Sequence, residues 1–123
     1  PCIRYGEIYT IHNEVILKFD SFISNEVAAT AIMLKCGDLL FSGSGETRKE
    51  IGKCVAFINE FEAYAGGDVI ILRSRNISSE FFGYYLNSEH IRKQKASLGK
   101  TLGAKTHLQI SCWQQLVCSQ NYV

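Results

Sequence analysis

Proline is almost absent from this chain: the only one among its 123 residues is Pro1. No proline-rich linker divides the sequence, and no internal repeat or low-complexity tract does so either. Long apolar runs are missing too, as is a basic-then-apolar leader ahead of a cleavage site, so these residues offer neither a membrane span nor a secretory signal. The five cysteines, Cys2, Cys36, Cys54, Cys112 and Cys118, are odd in number and never spaced C-x-x-C. They read as reduced thiols of a cytosolic protein, several of them buried, and not as a disulfide or zinc scaffold. His12, His90 and His107 stand at no metal-ligand spacing, and H-E-x-x-H is absent. No Cys–His nucleophilic pair is placed by the order of residues. Gly99-Lys100-Thr101 imitates the end of a Walker loop, but the glycine that motif needs five residues earlier is Gln94. No G-x-G-x-x-G lies between a strand and a helix, so dinucleotide binding has no support.

What remains is the composition of an ordinary globular protein, with 46% hydrophobic and 20% charged residues. The length suits one domain, residues 1–123, with a real core. The chain opens at Pro1 and not at methionine, so residues ahead of it are expected; the domain is expected to be incomplete at its other end as well. The net charge of +1 hides an asymmetry. Residues 1–72 hold six Lys or Arg against ten Asp or Glu, a balance of −4; residues 73–123 hold seven against two, a balance of +5. Such a basic section fits either a polyanion contact or a solvated helix face.

Local patterns predict short strands in the middle and helix afterwards. Ile16–Phe19, Leu39–Ser42, Lys53–Ile58 and Val69–Arg73 read as strands, the last buried on both faces. Val27–Leu34 is ambiguous between helix and strand. Ser78 or Ser79 caps a helix whose apolar residues are Phe81, Phe82, Tyr85 and Leu86. Asn87-Ser88 interrupts or re-caps it, a basic helix continues over Glu89–Ser97, and Gly99 ends that helix. The aromatic residues Phe81, Phe82, Tyr84 and Tyr85 are expected to pack and not to stack on bases.

The richest segment runs from Gly37 to Lys53. An apolar strand enters a loop, Ser42-Gly43-Ser44-Gly45-Glu46-Thr47-Arg48, where glycine alternates with hydroxyl and charged residues. It reads either as a DNA- or phosphate-contact loop or as a turn whose Ser and Thr cap their own backbone. In the first reading Glu46 accepts from a cytosine amino group, while Arg48 and Lys49 hold guanine edges or phosphates. Arg73, Arg75, Lys93, Lys95 and Lys100 then supply salt-sensitive backbone contacts.

Four segments in order resemble the target recognition domain of type I restriction–modification specificity subunits. They are Cys2–Tyr9 (CIRYGEIY), which is similar to a strand of that family, Gly37–Lys53, Ala63–Leu72, and Phe81–Ser88. The resemblance spans about residues 2–103 and continues faintly at His107-Leu108; residues 111–123 match no segment of the family. It implies an α+β fold, a mixed, strand-rich recognition domain with a C-terminal helix. It also implies a non-catalytic role: reading one half of a bipartite target in double-stranded DNA. Catalysis would belong to partners, namely methyltransferase (modification) subunits that bind S-adenosylmethionine and methylate adenine, and a restriction nuclease-translocase subunit. Carried over by position, the DNA contacts are Ser42, Ser44, Glu46, Thr47, Arg48 and Lys49, with Arg4, Tyr5 and Arg73. A domain that keeps this fold but serves only protein–protein interaction is the alternative.

Overall fold

Leu39, Leu40 and Phe41 are wholly buried, and the rest of the fold is arranged around the strand that carries them. The computed structural model describes residues 1–45, 52–73, 78–102 and 105–108; for 44–45, 95–102 and 105–108 it describes the backbone alone. In chain order the first elements are β1 (Cys2–Ile3), α1 (Tyr5–Thr10), α2 (Asn25–Ala28), β2 (Ile32–Met33), β3 (Asp38–Ser42) and β4 (Ser44–Gly45). They are followed by β5 (Cys54–Phe57), β6 (Tyr64–Ala65), β7 (Val69–Leu72), α3 (Ser79–Tyr85), α4 (Glu89–Leu98), β8 (Gly99–Leu102) and β9 (Lys105–Leu108). The fold is α+β.

Among the described residues three small sheets result, ordered β1-β6-β2, β5-β3-β7 and β4-β9-β8. The central one is antiparallel throughout, with Leu40 opposite Val55 and Ile71. Side chains alternate across a strand, so β3 feeds two cores. Leu40 joins Ile3, Ile8, Ile16, Leu34, Val55 and Phe57 on one face. Leu39 and Phe41 join Cys54 and Ala56 on the other, where Phe82 and Leu86 cover them. Each such side chain, removed from water, contributes about 1.5–3 kcal/mol.

The outer edge of β5 is closed by a segment without regular structure. Ala56 donates its N–H to the Glu14 carbonyl at 2.8 Å and accepts from Ile16 at 3.0 Å. That single bridge, Val15 to Ala56, is what becomes of the strand expected over Ile16–Phe19. Ile16 is buried, but Leu17 is 85% exposed, and the chain turns away from the sheet edge.

Other expectations need correction. The strand expected across Cys2–Tyr9 stops at Ile3; α1 begins at Tyr5, its first turn held by the Arg4 N–H donating to the Glu7 carboxylate at 2.9 Å. Val69–Leu72 is half-buried and not buried on both faces, because among the described residues β7 pairs with β3 alone. Val27–Leu34 divides into the end of α2 and the short β2. Ser78 caps α3 by accepting from the Phe81 N–H. Phe82 and Tyr85 are partly buried as expected, but Phe81 and Tyr84 are 59% and 61% exposed. α4 ends where Gly99 opens β8. Cys2, Cys36 and Cys54 are free thiols, the first and last buried. Among the described residues no helix is long and apolar enough to cross a membrane.

Candidate nucleic-acid interface

The glycine-rich loop is fixed where it leaves the core and where it returns. At its start, the Gly43 N–H donates to the Asp68 carbonyl at 2.8 Å. A Cβ on Gly43 would lie 2.8 Å from that same oxygen, so a larger residue would push the two turns apart. Asp68 itself holds a left-handed backbone, φ 59°. At the return, Gly52 donates to the Ser42 carbonyl at 2.8 Å, while Ser42 donates to the Lys53 carbonyl at 3.1 Å. Two residues thus oppose one, with the glycine at φ 72°: a β-bulge whose first residue must reach the left-handed region.

Between these anchors the chain forms β4, and β4 meets the basic section. Ser44 is the register partner of His107, and His107 is also the partner of Lys100. Gly45, Thr106 and Thr101 form the next row. α1 packs beside β4 as well, which brings the helix that starts at Tyr5 to the same loop.

The return of the loop is also joined to the basic helix. Asn87, in the junction between α3 and α4, accepts from the Cys54 N–H at 2.8 Å and donates to the Cys54 carbonyl at 2.6 Å. Next to Cys54, the Lys53 ammonium donates to the His12 carbonyl. Burial lowers the Lys53 pKa; the Glu14 carboxylate opposes that shift and Arg92, from α4, adds to it. His12 is buried, 5% exposed, and burial lowers its pKa too, against the raising effect of Glu7 and with further lowering by Lys53.

The expected contact residues separate into groups. Arg4 and Lys93 are exposed and Tyr5 half-buried; Lys93 makes a solvated pair with Glu89 at 3.5 Å, of a kind worth little and easily exchanged for a phosphate. Ser44 and Lys100 share a register row, and Lys95 lies in α4. Glu46, Thr47, Arg48, Lys49 and Arg75 lie outside the described residues. Two expectations are corrected. Ser42 is fully buried, at the strand position that the bulge closes, and is not open to a duplex. Arg73 is held by Asp38 through two 2.7 Å bonds and also donates to the Met33 carbonyl. Asp38, whose side chain is 1% exposed, needs that guanidinium as its counter-charge, so Arg73 is a structural ion pair and its pKa is raised by the bond to Asp38.

Sequence reasoning passed over Lys53 and Asn87 as members of this site. A glycine followed by lysine just after the loop was the available signal for Lys53; Asn87 is marked locally only as a break between two helices, and its partner is 33 residues away. Among the described residues no group of side chains could hold a metal ion. No protein-family model matches the sequence, and no curated protein matches it either.

Proposed function

We propose that this chain is a DNA recognition module of the type I restriction–modification kind. In that role it reads one half of a bipartite target and positions DNA for adenine methylation or restriction by partner subunits. The observation that supports this best is the register that joins Ser44, through His107, to Lys100. Loop and basic section, 56 positions apart in sequence, meet in one sheet. The bond from Asn87 to Cys54 brings α4, with Arg92 and Lys93, to the other end of the same loop. Cations gathered around a loop give counterion release, while loop side chains discriminate bases. The proposed contacts are therefore Ser44, Lys93, Lys95, Lys100, Arg4 and Tyr5, with Glu46, Thr47, Arg48, Lys49 and Arg75 carried from the resemblance. No catalytic group is assigned, and S-adenosylmethionine would belong to the partner modification subunit.

The test is titration of the full chain with mixed-sequence duplex DNA across a salt series, beside co-purification with modification subunits. Log affinity should fall linearly with log salt, by about 0.9 for each phosphate neutralised. Affinity that is absent or indifferent to salt, with no co-purified subunit, rules the proposal out. The exposed Phe81 and Tyr84 on α3 favour a second reading, a module that binds protein alone. That reading requires a protein partner without salt-sensitive DNA affinity.

A further inference from the structure

The free edge of β5 is satisfied in two different ways. In an antiparallel strand the N–H and C=O of one residue point to the same side, and alternate residues face outward. Ala56 turns its pair to the backbone of Glu14 and Ile16. Two residues earlier, Cys54 turns its pair outward as well, and among the described residues no strand pairs with it there. The Asn87 side chain does so, its carbonyl accepting at 2.8 Å and its amide donating at 2.6 Å. An amide group has one acceptor and one donor side by side, the same pair a neighbouring peptide would present. Asn87 thus stands in for a strand at the residue where the loop rejoins the core.

We infer that Asn87 is a positioning residue for nucleic-acid binding: it sets the loop's return, from Gly52 to Cys54, against the first turn of α4, so that this return and the start of the basic helix are held together toward a duplex. This rests on the DNA-binding reading above. Asn87 touches no nucleic acid in this scheme and acts through its neighbours. One step along the chain from Cys54 is Lys53, tied to the His12 carbonyl, and one step before that is the left-handed Gly52 of the bulge. Toward α4, Arg92 donates its N–H to Ser88, the residue after Asn87. Gly52, Lys53 and Cys54 on one side and the start of α4 on the other are therefore referred to one side chain.

The test compares Asn87→Leu with Leu34→Ala, a core substitution remote from the loop, both in the full chain. Amide hydrogen exchange is followed at Gly52 and, as a core reference, at Leu40. Asn87→Leu should speed exchange at Gly52 by about tenfold relative to Leu40; Leu34→Ala should move the two together. Parallel acceleration at both amides in Asn87→Leu would overturn the inference, because the side chain would then contribute general stability alone. Should Asn87→Leu not fold, Asn87→Asp decides. Its carboxylate repels the Cys54 carbonyl when ionised and donates to it when protonated, so Gly52 protection, taken relative to the unsubstituted chain at the same pH, should be greater at acid pH after correction for intrinsic rates. Equal protection at both pH values counts against the role. With mixed-sequence duplex DNA, Asn87→Leu should reduce the salt slope by about one phosphate, and an unchanged slope would also overturn the inference. Absence of salt-sensitive binding in the unsubstituted chain removes the DNA reading, whereas the exchange result still decides what Asn87 holds.

Discussion

At the scale of single residues, the ion pair of Asp38 and Arg73 shows how a cation can be claimed by the fold. Asp38 opens β3 with its carboxylate out of water, accepting from the Lys35 N–H at 2.8 Å and from two guanidinium nitrogens. Losing the guanidinium strands a buried charge, which costs more than the intact pair contributes. Arg73→Met should lower stability by about 3 kcal/mol, the low end of the range for buried pairs because the arginine side chain is 43% exposed. Urea unfolding measures this. The same substitution should leave the DNA salt slope unchanged; a slope lower by one would return Arg73 to the contact set.

At the scale of elements, α3 is seated by a residue that is poor in a helix. Gly83 lies inside α3, where glycine costs about 1 kcal/mol against alanine. A Cβ there would stand 2.6 Å from the Glu14 carbonyl oxygen and 3.4 Å from the Ala56 Cβ. Backbone of the segment that closes β5 cannot yield without breaking its bond to Ala56. Overpacking of this kind costs about 1–3 kcal/mol, which outweighs the propensity gain. Gly83→Ala should therefore destabilise the protein by up to about 2 kcal/mol, visible as a lower Tm. Stabilisation instead would mean that α3 can lift from β5. The same contact explains why Phe81 and Tyr84 face outward: Gly83, with Phe82 and Leu86 on the apolar core, turns the inner side of α3 to the sheet.

At the scale of the whole molecule, the buried His12 links stability to pH. Its pKa is lowered by burial, so the unfolded chain binds a proton more readily than the folded one. Stability from this group is fully present above the ordinary histidine value of 6.5 and is lost as pH falls through the lower folded value. The sign follows from linkage: where the unfolded state holds more protons, stability rises with pH. Each unit of depression amounts to about 1.4 kcal/mol. Urea midpoints should fall on acidification from about pH 7 to pH 5, and His12→Gln should flatten that fall. An equal decline in both proteins would trace it to other groups. Because Lys53 donates to the His12 carbonyl, the loop's return should loosen along with the core at low pH.

Much of the fold was legible along the chain because the forces involved are local. Apolar residues at Leu39–Phe41 and Cys54–Phe57, bounded by glycine, mark strands, and Ser78 ahead of an apolar pattern marks a helix start. Gly43 and Gly52 could be recognised as loop glycines; Gly52 holds a left-handed backbone, and Gly43 leaves no room for a Cβ beside the Asp68 carbonyl. What the order of residues left open depends on partners distant in sequence. Arg73 and a surface arginine look alike until Asp38 is found beside it. Ser42 reads as a loop hydroxyl until the bulge buries it. Ile16–Phe19 has strand composition, but the edge of β5 receives it at one residue only. Asn87 is marked along the chain only as a break between two helices, because its other meaning is a pair of backbone groups on another strand. The sequence by itself determined where the chain would bury apolar surface and where it would turn, through side-chain transfer and backbone sterics. The tertiary structure alone decided which charges and amides are spent inside the fold, because hydrogen bonds and ion pairs depend on neighbours that only folding supplies.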